Sequence, residues 1–579
     1  MVYLLDRMRR ASTGPNTVTF LAPDGGRRVG WAELYGDACR VAAGLQSHGV
    51  GPGRPVVILA DTSRETITAA MATWLAGGSL TMAPTPARTV DLARYLAATR
   101  DRFDALGEPL VLVGAPWVDA VPALSGGAGR VIPLAEAVGD PPSAPWRPPM
   151  LTADAPAILQ LTSGTTGAPK IARISHGNLA ANVEGIRVAT SHEAVHGRML
   201  SWLPLSHDMG LIGGFVLPMA CGRCDALLSS PADFLARPAS WMQLVSHHRA
   251  TNTVGPGSAY AVAARLLRAG PRLDLSSLAY ALCGGEPIDP AVVDDFLDAA
   301  GGHGFHPAAF MPAYGLAEAT VAVTFSAVGR GPRYDTVDAD ALAAGTARFV
   351  PPEAAERPGP TERPGPTERP MLTERPGSAE RPGSAGSAVR TRRLALLGEP
   401  IPGLSVRVVD PDSGGILPER KVGEVQVHGT SVAASYHDDP DSAAALRARD
   451  GWLATGDLGY LTGGELVVCG RRKDIIILGG RNIYPEEVER AAARADGARA
   501  GNIVAFPYPR PGHLGGEGLA VAVETRGADP AALRSAVAQE VRAALGMTPH
   551  TVLVLEPGSV PKTPSGKLQR AEARRRFAP

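Results

Sequence analysis

The stretch AILQLTSGTTGAPKIARIS, residues 157–175, runs from an apolar segment into a loop of Gly, Ser and Thr and then back into an extended pattern. AILQLT (157–162) has the length and apolar content of a buried strand. The intervening Ser163-Gly164-Thr165-Thr166-Gly167-Ala168-Pro169-Lys170 has the composition of a loop, and IARIS predicts a second strand. Ser175 then stands where an N-cap would open a helix near His176. Gly164 and Gly167 let the backbone approach an anion closely. The hydroxyls of Ser163, Thr165 and Thr166 add donors and Lys170 adds charge, the ingredients of a phosphate cradle. It is not a Walker loop, because Gly-Lys-Ser/Thr and an immediately following helix are both missing. On its own, a loop of this composition is more often a plain turn than a phosphate site.

Upstream, apolar runs alternate with helical stretches. PVVILA (55–60) is followed by TITAAMATWLAGGSLTMAPTPA (66–87), read as a buried helix and turn, and this alternation predicts an α/β fold with mostly parallel sheets. Beyond about residue 470 the pattern becomes α+β. KDIIIL (473–478) predicts a strand, Gly479-Gly480 a turn, and Pro485 the first position of a helix through EEVERAAAR. Asp529 and Pro530 open a second helix whose Leu533, Val537, Val541 and Leu545 recur every four residues until Gly546. The chain therefore divides into a large N-terminal domain, 1–472, and a small mobile C-terminal domain, 473–579. Within the former, Glu-Arg-Pro recurs at Glu356, Glu362, Glu368, Glu374 and Glu380. This repeat marks 346–390 as a Pro/Gly-rich loop with too little apolar surface to offset its ordering entropy.

The 579 residues, 45% hydrophobic and 20% charged, exclude general disorder and a coiled coil. Lys+Arg 57 balances Asp+Glu 57, which argues against a nucleic-acid partner. The 66–87 stretch is too diluted by Thr, Gly and Pro for a membrane span, and the N-terminal MVYLL run is too short for a secretory core, so a cytoplasmic location is expected. Cys39, Cys221, Cys224, Cys283 and Cys469 are odd in number and scattered, and the lone CxxC lacks the second pair that structural zinc needs.

Further motifs follow in order: SWLPLSHDMGLIG (201–213), CGGEPI (283–288), MPAYGLAEAT (311–320), GWLATGDLG (451–459), GRRKDIIILGGRNIYPEEVE (470–489) and VPKTPSGKLQR (560–570). Together with LTSGTTGAPK this series resembles the adenylate-forming superfamily of acyl-CoA synthetases, adenylation domains and luciferases. PLSHDMGLIG, YGLAEAT and GGRNIYPEEVE are most similar to fatty acyl-AMP ligases. The resemblance implies that a carboxylic acid, a fatty acid in the first instance, attacks the α-phosphate of ATP to give acyl-AMP and pyrophosphate, after which a thiol takes the acyl group. It assigns Thr162 to Lys170 to the β/γ-phosphates, Glu318 to Mg2+, and Tyr314 and Gly315 with the turn Gly284-Gly285-Glu286-Pro287 to adenine. Asp457 and Arg471 go to the ribose, Lys567 to the reacting carboxylate and α-phosphate, and Lys473 to the interdomain hinge. His207 falls where the acyl channel meets the nucleotide, as a gate or as a pocket histidine.

The expected acceptor is the phosphopantetheine thiol of an acyl carrier protein, in natural-product or lipid assembly. An acyl-CoA ligase, or a ligase of an aryl or unusual acid, is the alternative. A nucleotide-binding protein without turnover is disfavoured by the presence of Glu318, Asp457, Arg471 and Lys567 together. An amino-acid substrate is disfavoured by TNTVGPGSAY (251–260), which lacks an Asp for the ammonium. Two departures stand out. Ile171 follows the loop lysine where the family usually has Gly, and the region of the insertion associated with poor use of CoA holds VDADALAAG (337–345) and the repeat.

Overall fold

The computed structural model describes residues 2–22, 25–85, 92–127, 129–139, 144–162, 170–191, 196–351, 389–439, 450–478, 481–509, 517–562 and 567–578. Among them, PVVIL becomes the strand Pro55–Leu59, whose Val56, Val57, Ile58 and Leu59 are all fully buried, as expected for a parallel strand covered on both faces. It lies in a six-stranded sheet whose last member, Ile171–Ser175, runs antiparallel to Pro156–Leu161. The other described pairings in that sheet are parallel. The helix Arg64–Ala76 packs on this sheet and is buried from Thr66 onward, with the Trp74 indole N–H donating to the Ala157 carbonyl at 2.9 Å. The expected turn after it is shorter than predicted. Gly77 adopts a left-handed conformation (φ 96°), and Ser79–Met82 forms another strand, buried on both faces because the Ser79 and Thr81 hydroxyls donate to the Gly53 and Leu159 carbonyls at 3.2 and 3.0 Å.

A second, nine-stranded sheet holds the parallel strands Gly197–Ser201, Asn252–Gly255, Tyr280–Cys283 and Phe310–Tyr314. Their C-terminal ends lead into 202–208, the helix Gly257–Ala269, Gly284–Pro287 and Gly315–Glu318, so the parallel pairing carries four separated motifs to one edge. That edge is where open α/β sheets form their ligand crevice. An antiparallel sheet follows. In it Leu453–Thr462 and Glu465–Arg471 make a hairpin whose register sets Asp457 opposite Arg471.

The strand Tyr334–Asp338 pairs antiparallel with Thr391–Ala395, which joins the two flanks of the repeat. The repeat, within 352–388, lies outside the described residues. The expectation of one loop over 346–390 needs correction at its ends. Thr346 bridges Lys421, Val350 N–H donates to the Thr336 carbonyl at 2.9 Å, and the Arg390 guanidinium donates to the Leu545 carbonyl at 3.0 Å. VDADALAAG supplies the end of a strand and the short helix Ala339–Ala343, capped by Asp338.

The smaller C-terminal domain has its own core, in which Val488, Val521, Val523, Val537 and Val541 meet. Asp529 caps the helix Pro530–Leu545 by accepting from Ala532 N–H at 2.8 Å, and Gly546 ends it at φ 68°. The segment KDIIIL is strand only over Ile476–Leu478. Its first residues form the 3-10 turn Arg472–Asp474, where Lys473 is exposed while Asp474 turns inward to pair with Arg570 at 3.0 Å. The five cysteines are free, and among the described residues no helix is long and apolar enough to cross a membrane.

Candidate active site

The strands Pro156–Leu161 and Ile171–Ser175 bring the two ends of the hydroxyl-rich loop together. Thr162 N–H and Oγ1 both donate to the Lys170 carbonyl at 2.9 Å, closing its base. Ser163, Gly164, Thr165, Thr166 and Gly167 lie outside the described residues. Ser175 and Asn178 form a reciprocal cap on the helix His176–Ala189, as the Ser175 reading required. Ile171, the departure from the family pattern, is an ordinary buried strand residue whose carbonyl accepts from His437 N–H at 2.8 Å.

That contact brings in a segment the motifs did not point to. Tyr436 bridges Ala172, its hydroxyl donates to Glu318 Oε1 at 2.9 Å, and the Lys170 ammonium lies 4.8 Å from its ring centroid. Tyr436 therefore joins the base of the loop to the carboxylate of YGLAE. Glu318 itself sits on a turn fixed by the buried Asn182, whose amide donates to the carbonyls of Ala319 at 3.2 Å and Ala322 at 2.9 Å. Gly315 is required here by close approach, since a Cβ would lie 1.8 Å from the Val321 carbonyl oxygen.

Tyr314, Asp457 and Arg471 meet as a group. The Tyr314 hydroxyl donates to Asp457 Oδ2 at 2.6 Å and Arg471 Nε donates to Asp457 Oδ1 at 3.1 Å, with Asp457 buried and Arg471 half-exposed. Burial first and the Asp457 charge second hold the Tyr314 phenol well above its usual range, so it stays a donor. A carboxylate has about four acceptor sites, which leaves this one able to take two further hydroxyls. In the neighbouring turn Gly285 has φ 82°, and a Cβ there would stand in ordinary contact range of Met209 and His207. Glu286 Oε1 accepts Ser258 N–H at 2.5 Å, capping the helix Gly257–Ala269.

Lys567, from the C-terminal domain, reaches this crevice with its Nζ 3.4 Å from His207 Nε2. Burial depresses its ammonium below the usual lysine range; Asp208, Glu286 and Asp457 oppose that, and Arg471 adds to it. Three residues on, Arg570 is held by Asp474 at 3.0 Å, Glu486 at 3.0 Å and Glu489 at 2.8 Å, tying the lysine segment to the turn that carries the exposed Lys473. Across the domains Arg490 pairs with Asp289 at 2.6 Å, Arg392 with Glu487 at 2.8 Å, and Arg481 with Asp340.

Sequence reasoning missed Asp208, Tyr436, Asn182 and Arg570. Asp208 and Arg570 stand inside quoted motifs next to or near the residues chosen. Tyr436 and Asn182 carry no local signal, because their roles arise only when distant strands pair.

The chain belongs to the AMP-binding enzyme family, which matches residues 8–365. A Mycobacterium tuberculosis protein with the provisional name of ligase and no stated substrate is 39% identical over 553 residues, covering 94% of this chain and 93% of its own. A long-chain-fatty-acid–AMP ligase of Mycobacterium marinum is 32% identical over 610 residues, covering 98% and 96%. A solved structure from work on fatty acyl-adenylate ligases of E. coli and L. pneumophila aligns with a TM-score of 0.86 at 28% identity, over 100% of this chain and 98% of that one.

Proposed function

We propose that the chain is a fatty acyl-AMP ligase: it joins a fatty acid to the α-phosphate of ATP, releases pyrophosphate, and passes the acyl group to the phosphopantetheine thiol of an acyl carrier protein. The observation that carries this reading is the meeting of Lys567 with His207 in the crevice that also holds Tyr314, Asp457 and Arg471. The similarity to a long-chain-fatty-acid–AMP ligase supports the choice of acid and of adenylate.

A carboxylate approaching a polyanionic nucleotide meets charge repulsion, and fixed cations and donors offset it most where water is excluded. Lys567 bridges the attacking carboxylate and the α-phosphate; its single ammonium on a long stem can do this and then withdraw with its domain. Asp457 accepts the two ribose hydroxyls, Arg471 donates to the same sugar, and Tyr314 with the Gly284–Pro287 turn flanks the base. Thr162 to Lys170 cradle the terminal phosphates. Magnesium, which would neutralise phosphate charge, favours oxygen ligands and commonly keeps one or two carboxylates plus substrate phosphate. Glu318 suits that role, and among the described residues no group of three or more potential ligands forms a cage by itself. Lys473, at the 472/473 boundary, is the hinge on which the small domain turns so that a thiol can replace Lys567.

The test is mass spectrometry of products formed from ATP, magnesium and a panel of fatty and aromatic acids, with phosphopantetheinylated carrier protein in one reaction and CoA in another. Carrier loading with a fatty acid and no acyl-CoA is expected; efficient acyl-CoA would contradict the assigned acceptor.

The depressed Lys567 ammonium also predicts the pH profile of acyl-AMP formation. The charged form is the working one, so kcat/KM falls as pH rises through a free-enzyme value below that of ordinary lysine. In kcat the limb moves to higher pH, because bound phosphate stabilises the ammonium. Identical limbs in the two profiles would contradict this.

A further inference from the structure

We propose that Tyr436 is a positioning residue for the triphosphate end of the site, its hydroxyl aiming the Glu318 carboxylate and its ring seating the Lys170 ammonium. This rests on the readings of Glu318 and Lys170 given above.

The backbone around Tyr436 is held from two sides. Ala433 N–H donates to the Glu318 carbonyl at 2.8 Å and Arg173 N–H donates to the Ser435 carbonyl at 3.2 Å, so 433–437 runs between the YGLAE turn and the strand that leaves the hydroxyl-rich loop. Pairing of Tyr436 with Ala172, and of His437 N–H with the Ile171 carbonyl, fixes its register on that strand. The side chain is buried in a small apolar cluster with Ala172, Ala319, Val323 and Leu453, whose packing keeps the ring from turning out to solvent. Its polar end meets Glu318 Oε1 at 2.9 Å, a direct link between a residue of one motif and a segment that belongs to none.

That bond decides how Glu318 is presented. With Oε1 committed to the phenol, the plane of the carboxylate is set and Oε2 is the oxygen left for a ligand. Magnesium tolerates little departure from octahedral geometry, and a hydrogen bond to a ligating carboxylate commonly changes metal affinity by about ten- to a hundredfold. The ring serves the second group. Lys170 Nζ lies 4.8 Å from its centroid, within cation–π range, and this contact restricts an ammonium that its flexible stem would otherwise let wander. One side chain thus sets an anion and a cation from two distant motifs relative to each other. A residue that only filled the apolar cluster would be replaced by Phe at no cost to either group.

The test is calorimetric titration of ATP, in EDTA and in excess magnesium, into the wild type, Tyr436→Phe, Tyr436→Leu, Glu318→Gln and the Glu318→Gln/Tyr436→Phe double variant. No acid is present and nothing turns over, so the ligase reading stands or falls separately. Magnesium is expected to tighten ATP by at least about tenfold on the wild type, and Tyr436→Phe to lose most of that gain while its affinity in EDTA stays within about twofold. Adding Tyr436→Phe to Glu318→Gln should remove nothing more. Tyr436→Leu, which also loses the ring, should weaken ATP in EDTA by about threefold beyond Tyr436→Phe. A full magnesium gain in Tyr436→Phe, an equal loss with and without magnesium, an undiminished effect in the Glu318→Gln background, or equal affinities of the Phe and Leu variants in EDTA would overturn the proposal. No magnesium gain in the wild type, or the full gain in Glu318→Gln, would overturn the reading of Glu318 and the proposal with it.

Discussion

Replacing Lys567 with alanine lowers acyl-AMP formation by about a hundredfold to a thousandfold, the range seen when one preorganised donor is removed from a developing charge. Transfer from supplied acyl-AMP to a thiol continues at close to the wild-type rate. The asymmetry follows from where the lysine comes from. Lys567 belongs to the small domain and reaches His207 across the domain boundary, whereas the groups around Asp457 stay with the large domain. Its segment is anchored within the small domain by Arg570 on Asp474, Glu486 and Glu489, so in the proposed turn of that domain it leaves as a unit. Rapid-quench measurement of pyrophosphate and thioester checks both halves, and equal loss in the two would contradict the assignment.

Asp457→Ala is expected to raise KM for ATP by at least about tenfold and to lower stability by about 2 kcal/mol, the scale of hydrogen bonds to a charged group. The buried carboxylate accepts from both Tyr314 at 2.6 Å and Arg471 at 3.1 Å, so its loss leaves the phenol without that acceptor and relaxes the arginine. Arg471 is half-exposed and can turn to solvent, which keeps the stability cost moderate. Tyr314→Phe removes only the hydroxyl and should shift stability while raising KM for ATP less than Asp457→Ala does. Nucleotide titration and denaturant unfolding measure the two effects separately. An Asp457→Ala variant with wild-type KM for ATP would remove this residue from the nucleotide site.

Local pattern carried much of the architecture. The apolar run at Val56–Leu59, the Ser175 and Asp529 caps and the stop at Gly546 each depend on neighbours in the sequence, and each forms as expected. KDIIIL was less legible because four apolar residues in a row suit strand, while the pairing of Asp474 with the distant Arg570 holds the preceding residues in a turn. The site divides the same way. His207, Tyr314, Glu318, Asp457 and Lys567 were assigned because they stand in motifs whose order resembles a known family. Tyr436 reaches Glu318 only through its pairing with Ala172, and Asn182 reaches the Ala319 and Ala322 carbonyls only through packing. No periodicity in the chain announces contacts of that kind. The Glu286 carboxylate was assigned by position in a turn, while in the fold it caps the helix Gly257–Ala269.

The central claim is that this crevice joins a carboxylic acid to AMP, and its most direct test is acid-dependent exchange of radiolabelled pyrophosphate into ATP, with no thiol present. The account predicts exchange that requires magnesium, depends on a fatty acid, and is lost in Lys567→Ala. Exchange that ignores the acid, or that persists unchanged in Lys567→Ala, would contradict it.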